Sequence, residues 1–272
     1  MSLLGSLPRS GAAPGGTARL RVEGSPGGVV YLRDGLVVAA TTPASPGPES
    51  LLLRSGRVSE DAWNAAYGAG APTGRVGAEL VARAAVGSAG LEAVCLLAIS
   101  DAVFALALSG GSAGPPEPLG PGELLPHLLL EPGVPPERLR GETERRLRIA
   151  AGWQEAGITA RCRPVAVRPA VESPIRADAL RQSVLARANG RRTPRDIAFL
   201  LGQGLFVVMQ ELDHLARRGL VEVDPATAPP RDDAPTLDEG VPRLPLLPRH
   251  GAPAADRPHD PEAHPQEHQR ES

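Results

Sequence analysis

The residues best suited to chemistry lie between positions 191 and 218, and their types indicate contact with DNA. Arg191, Arg192 and Arg195 cluster where a helix is predicted to begin, so a phosphate bound there would also meet the N–H groups of the helix N-terminus. The next predicted helix carries polar side chains that can read base edges, because glutamine forms two hydrogen bonds with adenine. The candidate DNA-contacting residues are Arg191, Arg192, Arg195, Gln203, Gln210, His214, Arg217 and Arg218.

Acidic residues in the same predicted helix leave a second hypothesis open. Glu211 and Asp213 would repel phosphates, although a carboxylate can accept a hydrogen bond from cytosine. Residues 173–223 contain eight Arg and five acidic residues, so this region is only mildly basic. The chain is therefore either a transcriptional regulator that binds double-stranded DNA or a signalling adaptor whose helix 205–218 docks on a protein.

Complete patterns typical of enzymes do not occur in the chain. Residues 110–114, GGSAG, match Gly-x-Ser-x-Gly by letter, but they lack the strand-to-helix context of a nucleophile elbow and the lysine of a phosphate loop. The sequence has no dinucleotide fingerprint. Cys95 and Cys162 are isolated, which supports neither a disulfide framework nor a zinc cluster. His127 is a single histidine in a proline-rich segment and is predicted to be a surface residue. We therefore expect no enzymatic activity, no catalytic residue, no bound metal and no cofactor.

The candidate DNA contacts require a set of helices between residues 173 and 224. Apolar spacing predicts a helix over 178–188, and Asn189-Gly190 would end it because both residues tolerate a left-handed backbone. Thr193 and Pro194 are typical of the N-cap and first position of a second helix. After a turn at 202–204, a third helix is expected over 205–218 and a short strand over 220–223. The residues predicted to be buried in the second and third helices are Ile197, Ala198, Leu200, Leu201, Val208, Leu212 and Leu215.

This region resembles a known class of regulators. The run ANGRRTPRDIAFLLG, followed by the pattern LxxLxRxGLVEV, is similar to actinobacterial winged-helix regulators described as MarR-like. The resemblance covers about 50 residues and implies a winged-helix fold with DNA contacts at the helix 205–218 positions named above. Pro225 follows the strand almost at once, so at most one wing strand is expected.

Residues 16–109 are predicted to form a small antiparallel sheet covered by helices. Apolar residues alternate with charged ones near the start, and Asp34-Gly35 is a strong hairpin signal. A three-stranded meander needs a cover on its apolar face, which the following helices would supply. The predicted elements are strands at 17–22, 29–32, 36–41 and 101–108, and helices at 48–55, 59–67, 73–85 and 90–100.

The N-terminal half also carries a resemblance. The hairpin GGVVYLRDGLVVAA followed by PESLLLRSG resembles the uncharacterised N-terminal domain of PatA-like bacterial signalling proteins. The resemblance implies a small sheet with helices and a sensory or protein-contact role. That domain has no established catalytic residues, so none are implied here.

The remaining segments are predicted to be linkers or disordered. Residues 1–15 are rich in Gly, Pro and Ser, and residues 225–272 are rich in Pro, His and acidic residues, so both ends are expected to be disordered. Residues 110–172 are predicted to be a linker that contains an amphipathic helix at 136–153. This helix either docks one stripe on a neighbouring element or forms a homodimer contact.

Charge and composition set the broad class of protein. The net charge is −2, which argues against a surface that binds nucleic acid everywhere. All 29 basic residues are Arg, a bias expected from a GC-rich genome and therefore weak information on function. No uninterrupted apolar run approaches the roughly 20 residues of a membrane span, and no export signal is recognisable, so a cytoplasmic location is expected. The predicted fold class is α+β, with a sheet-and-helix domain at residues 16–109 and a winged-helix-like domain at 173–224.

Overall fold

A small antiparallel sheet organises the N-terminal half of the computed structural model, which describes residues 2–8, 16–120, 123–167 and 179–223. Strands β1 (Thr17–Glu23), β2 (Gly28–Arg33) and β3 (Leu36–Thr41) form the predicted meander, in which β1 pairs with β2 and β2 with β3. The hairpin prediction is confirmed: Asp34 and Gly35 have φ angles of 48° and 81°. Two positive φ angles in succession are the geometry that joins twisted strands through a two-residue turn.

Short helices share a hydrophobic cluster with the sheet. They are α1 (Leu3–Ser6), α2 (Pro48–Arg54), α3 (Glu60–Gly70) and α4 (Val76–Ala82). Ser59 caps α3, since its side chain accepts a hydrogen bond from the backbone N–H of Ala62 at 3.2 Å. The predicted disorder of residues 1–15 is wrong for α1, because Leu3 and Leu7 are buried and the Leu3 N–H donates to the carbonyl of Gly111. Residues 9–15 lie outside the described residues.

The central element is the 21-residue helix α5 (Ser88–Leu108). The prediction of a strand at 101–108 is wrong because α5 continues through Val103 and Phe104 to Leu108. These β-favouring residues are helical because α5 is surrounded by other elements in its second half, and the burial outweighs their intrinsic preference. Among the described residues, α5 is the one helix long and apolar enough to cross a membrane, but 61% of its most apolar window is buried, as in the core helix of a soluble protein.

Residues 110–172 contribute to the fold rather than only linking domains, which corrects the linker prediction. Strands β4 (Ser112–Ala113) and β5 (Glu117–Pro118) both pair with β1. The predicted amphipathic helix is confirmed as α6 (Pro136–Ala151), which packs on α5. Strand β6 (Pro164–Ala166) follows α6 in the chain.

The three predicted C-terminal helices are present as α7 (Ala179–Leu185), α8 (Pro194–Leu201) and α9 (Leu205–Arg217). Thr193 caps α8 as predicted, and Asp196 completes a reciprocal capping box. The prediction that Leu200 is buried is wrong: it is 49% exposed, because the buried stripe runs through Pro194, Ile197, Ala198 and Leu201 and leaves Leu200 on the flank. Strand β7 (Val221–Val223) pairs antiparallel with β6, which precedes the helices in the chain.

The described residues from 2 to 223 lie in one compact unit with two hydrophobic clusters, so the structure adds no boundary to the predicted domains at 16–109 and 173–224. Helix α5 belongs to both clusters: Val103 and Leu106 pack in the sheet cluster, and Phe104 and Ala105 pack in the C-terminal cluster. The fold is thus a mixture of helices with a small antiparallel sheet, consistent with the predicted α+β class. The predicted disordered tail, 225–272, lies outside the described residues.

Candidate functional site

The first part of the predicted DNA-contacting surface is the turn between α7 and α8. Arg191 is exposed and Arg192 is half-exposed. The turn is held by Asn189, whose side chain accepts the N–H of Arg191 at 3.1 Å and whose backbone bridges to Val165 in β6. Neither arginine forms an ion pair with an acid among the described residues. Both guanidinium groups are therefore free to meet an anion.

The second part is the outer stripe of α9, where the predicted base-reading residues lie. Gln210 and His214 are one turn apart and half-exposed, and Gln203 is half-buried in the turn before the helix. The stripe also carries the acid foreseen from the sequence: Glu211 accepts a hydrogen bond from Arg181 of α7 at 2.7 Å and lies 3.7 Å from Nδ1 of His214. The stripe thus presents two polar side chains that could contact base edges, next to a Glu211 carboxylate that is paired with Arg181.

The predicted phosphate contacts at the end of α9 differ in their surroundings. Arg218 is exposed, whereas Arg217 donates to Asp213 at 2.8 Å and to the carbonyl of Gly152 at 3.1 Å. The Asp213 carboxylate raises the pKa of Arg217 by this hydrogen bond. A phosphate would have to compete with Asp213 for Arg217.

The first turn of α9 points into the protein core. Leu205 and Phe206 are 1% and 7% exposed, and the Phe206 ring lies 5.3 Å from that of Phe104 and 5.2 Å from that of Trp153. In helix-turn-helix proteins, the N-terminal residues of the second helix are the ones that reach base edges in the major groove. Here those positions pack against α5 and the end of α6.

A buried cluster of charged residues packs against this turn and stabilises its position. This cluster was not predicted from the sequence. Oδ1 of Asp101, on α5, accepts a hydrogen bond from Arg146 of α6 at 2.8 Å, and the guanidinium of Arg146 lies 4.9 Å from the centre of the Phe206 ring. Arg146 also donates to Glu142 at 2.8 Å, a favourable i,i+4 pair on α6. We call the cluster of Asp101, Glu142, Arg146, Gly204 and Phe206 the closed junction.

The other oxygen of Asp101, Oδ2, faces the N-terminus of α9. A Cβ atom added to Gly204, the N-cap of α9, would lie 2.6 Å from it, so only glycine fits this approach. The backbone N–H groups of Leu205 and Phe206 lower the pKa of Asp101, although Oδ2 makes no hydrogen bond of good geometry. A carboxylate at this place is favoured by the positive end of the helix dipole.

Burial dominates the protonation of this carboxyl group. The side chain of Asp101 is 1% exposed, and loss of hydration raises its pKa to about 6, against the opposing effects of Arg146 and the α9 amides. Glu142 behaves in the opposite way, since hydrogen bonds from Arg145 and Arg146 hold its pKa at about 2. The sequence contained a usable signal: Asp101 is the one charged residue in the apolar run from 93 to 110. An isolated acid in a buried helix needs a cationic partner.

Arg195 lies apart from the other predicted phosphate contacts. It lines a cavity of about 410 Å³ between α8 and the loop that joins β3 to α2. Its guanidinium carbon lies 5.8 Å from the centre of the Phe199 ring, one helical turn further on. We call this cavity the open junction; it is lined by Thr42, Pro43, Ser45, Pro46, Arg195 and Phe199, among others.

His127 is placed differently from the prediction of a surface residue. It is half-buried, its Nε2 lies 3.2 Å from the hydroxyl of Tyr67, and the two rings meet edge to face at 4.9 Å. The contact attaches residues 123–134 to α3 and gives His127 a packing role.

Comparison with known proteins finds no match for this chain among protein-family models, curated proteins or solved structures. The resemblances to PatA-like and MarR-like proteins therefore stay predictions from the sequence.

Proposed function

We propose that the protein is a non-enzymatic signalling adaptor that acts through protein contacts in the cytoplasm, and that its winged-helix-like C-terminal helices do not read DNA. The carrying observation is the burial of the first turn of α9 in the closed junction. Exposing Leu205 and Phe206 to a major groove would take both side chains out of the core and away from the Phe104 and Trp153 rings. Loss of two such buried side chains costs about 3–6 kcal/mol, more than one base contact returns.

A groove between α5 and α6 supports a protein contact. It has a volume of about 620 Å³, a floor that includes Leu96 and Leu97, and a charged rim that includes Arg138 and Arg145. An apolar centre with a polar rim is the usual anatomy of a protein interface. The α5 wall of the groove belongs to residues 16–109, for which the PatA-like resemblance implies a protein partner.

The second candidate function is the DNA-binding regulator predicted from the sequence. It is favoured by Arg191 and Arg192, which have no acidic partner among the described residues, and by Gln210 and His214 on the outer stripe of α9. A DNA complex would then use the α7–α8 turn and the outer stripe without opening the closed junction.

Titration of the full chain with genomic DNA fragments at several salt concentrations separates the two candidates. The adaptor predicts only weak binding that is independent of sequence and lost at moderate salt. The regulator predicts specific binding with a steep dependence of log K on log salt, shallower by about one in Arg191→Ala. In that case Gln210→Ala would also relax the sequence preference, and the adaptor proposal would be wrong.

A further inference from the structure

We propose that the open junction binds a small anionic molecule with an apolar body, and that Arg195 holds its carboxylate or phosphate group. This site goes beyond the adaptor function, since it assigns a ligand class to a cavity where the sheet half meets α8.

Arg195 has the properties of an anion-binding residue. It is half-exposed, and no acid among the described residues pairs with it. Its neighbour Asp196 is committed to the backbone N–H and hydroxyl of Thr193, both at 2.8 Å. The Phe199 ring limits the motion of the guanidinium, so little freedom is lost when an anion binds. A guanidinium binds carboxylates and phosphates through two parallel hydrogen bonds.

Ser45 supplies a second, independent sign of a ligand. It lines the cavity and is 3% exposed, yet its Oγ has no hydrogen-bond partner among the described residues. Thr42 in the same loop is satisfied, because its Oγ1 donates to the carbonyl of Gly27 at 2.9 Å and accepts the N–H of Ala44 at 3.2 Å. Buried hydroxyl groups in native proteins usually have a partner. The Oγ is closed off from the cavity, so the Cα–Cβ bond of Ser45 must rotate before a polar ligand atom can become the partner that Ser45 lacks.

The rest of the cavity lining is mainly apolar and therefore favours a ligand with an apolar body. Pro43, Pro46, Ala102 and Phe199 contribute carbon surface, and Arg195 is the one charged residue in the lining. A volume of about 410 Å³ suits a small molecule rather than a folded partner. The loop and α8 belong to the two halves of the fold, so a molecule bound to both would hold them together and raise the melting temperature.

Calorimetric titration of the full chain with phenyl phosphate, benzoate and inorganic phosphate tests the site. We expect saturable binding of phenyl phosphate or benzoate, with the tighter of the two identifying the anionic group. Inorganic phosphate should bind at least about tenfold more weakly, because it cannot use the apolar walls. Equal affinity for inorganic phosphate, or no saturable binding of either aromatic anion, would overturn the proposal.

Two variants locate the binding. Arg195→Gln should weaken the aromatic anion about tenfold or more, because a hydrogen bond to a charged group is lost. Its matched control is Arg192→Gln, which removes a nearby guanidinium outside the cavity and should leave the affinity unchanged. An equal loss in both variants would mean diffuse attraction and would refute the site. Ser45→Ala breaks no existing hydrogen bond, so it should fold normally and still bind several-fold more weakly; unchanged affinity would remove Ser45 from the site.

Discussion

The closed and open junctions both join the sheet half of the molecule to the C-terminal helices, but they treat charge in opposite ways. In the closed junction, Arg146 is held between Asp101 and Glu142 and over the Phe206 ring. In the open junction, Arg195 lies beside the Phe199 ring and pairs with no acid among the described residues. A charge sealed from water must be paired to be stable, whereas a charge at a solvent-filled cavity stays available. The closed junction therefore stabilises the fold, and the open junction can bind a ligand.

Of the substitutions proposed here, removal of Asp101 should lower the free energy of unfolding most. In Asp101→Ala, Arg146 keeps Glu142 but loses its buried partner, and the first turn of α9 loses the carboxylate that faces it. We expect the free energy of unfolding to fall by about 3–5 kcal/mol, measured by urea denaturation. Arg145→Ala is the control: Arg145 is 50% exposed and pairs with the same Glu142, so its loss should cost under about 1 kcal/mol. Similar losses in both variants would show that the closed junction is not a stabilising element.

The pH dependence of stability should show what the burial of Asp101 costs when its carboxyl group is ionised. The pKa of Asp101 is raised from 3.8 to about 6 in the folded protein. The folded state therefore binds this proton more tightly than the unfolded state. The stabilisation is complete below about pH 4 and is lost as the pH rises through 6, with a total of about 3 kcal/mol as an order of magnitude. Subtracting the unfolding free energies of Asp101→Asn from those of the wild type, pH by pH, isolates this contribution. A difference that stays flat between pH 4 and 7 would contradict it.

Gly204→Ala should test the close approach of Asp101 to α9. The added Cβ would lie 2.6 Å from Oδ2 of Asp101, which is buried and cannot move aside. We expect a loss of about 1–3 kcal/mol beyond that of the control, since overpacking displaces well-packed atoms. The control is Gly87→Ala, because Gly87 is the N-cap of α5 with a similar extended backbone and nothing within 4 Å of its added Cβ. Equal melting temperatures for the two variants would argue against the contact.

Ser45→Ala should have the smallest effect on stability. A negligible change would show that the Ser45 hydroxyl group has no structural role in the open junction and remains available to a ligand. The Ser45 Oγ makes no hydrogen bond, so its removal is expected to change the unfolding free energy by less than about 0.5 kcal/mol, with stabilisation the favoured sign. Thr42→Val in the same loop breaks two hydrogen bonds and should cost about 1–2 kcal/mol. A destabilised Ser45→Ala protein would mean that Ser45 has a structural partner after all.

Local signals in the sequence predicted most elements, because they depend on neighbouring residues. Asp34-Gly35 specifies the hairpin, and Thr193 with Pro194 specifies the start of α8, through backbone preferences and capping that need no distant contact. The predictions were wrong where contacts between residues far apart in the chain determine the secondary structure or the burial. Val103 and Phe104 favour strands locally but are helical in α5, and Leu3 in a Gly-rich terminus is buried by a contact with Gly111 over 100 residues away.

The candidate sites show the same difference between local signals and distant contacts. Arg191, Gln210 and His214 could be placed on a surface turn and an outer helical stripe from sequence spacing alone. The pairing of Asp101 with Arg146 and the meeting of Arg195 with Ser45 could not, because each joins residues 45 or more positions apart through the packing of separate elements. The sequence by itself determined the local helices, strands and turns, since these follow from short-range hydrogen bonding and apolar spacing. Only the tertiary structure decided which charges are sealed into a core and which remain open to a ligand, because burial is a property of the assembled chain.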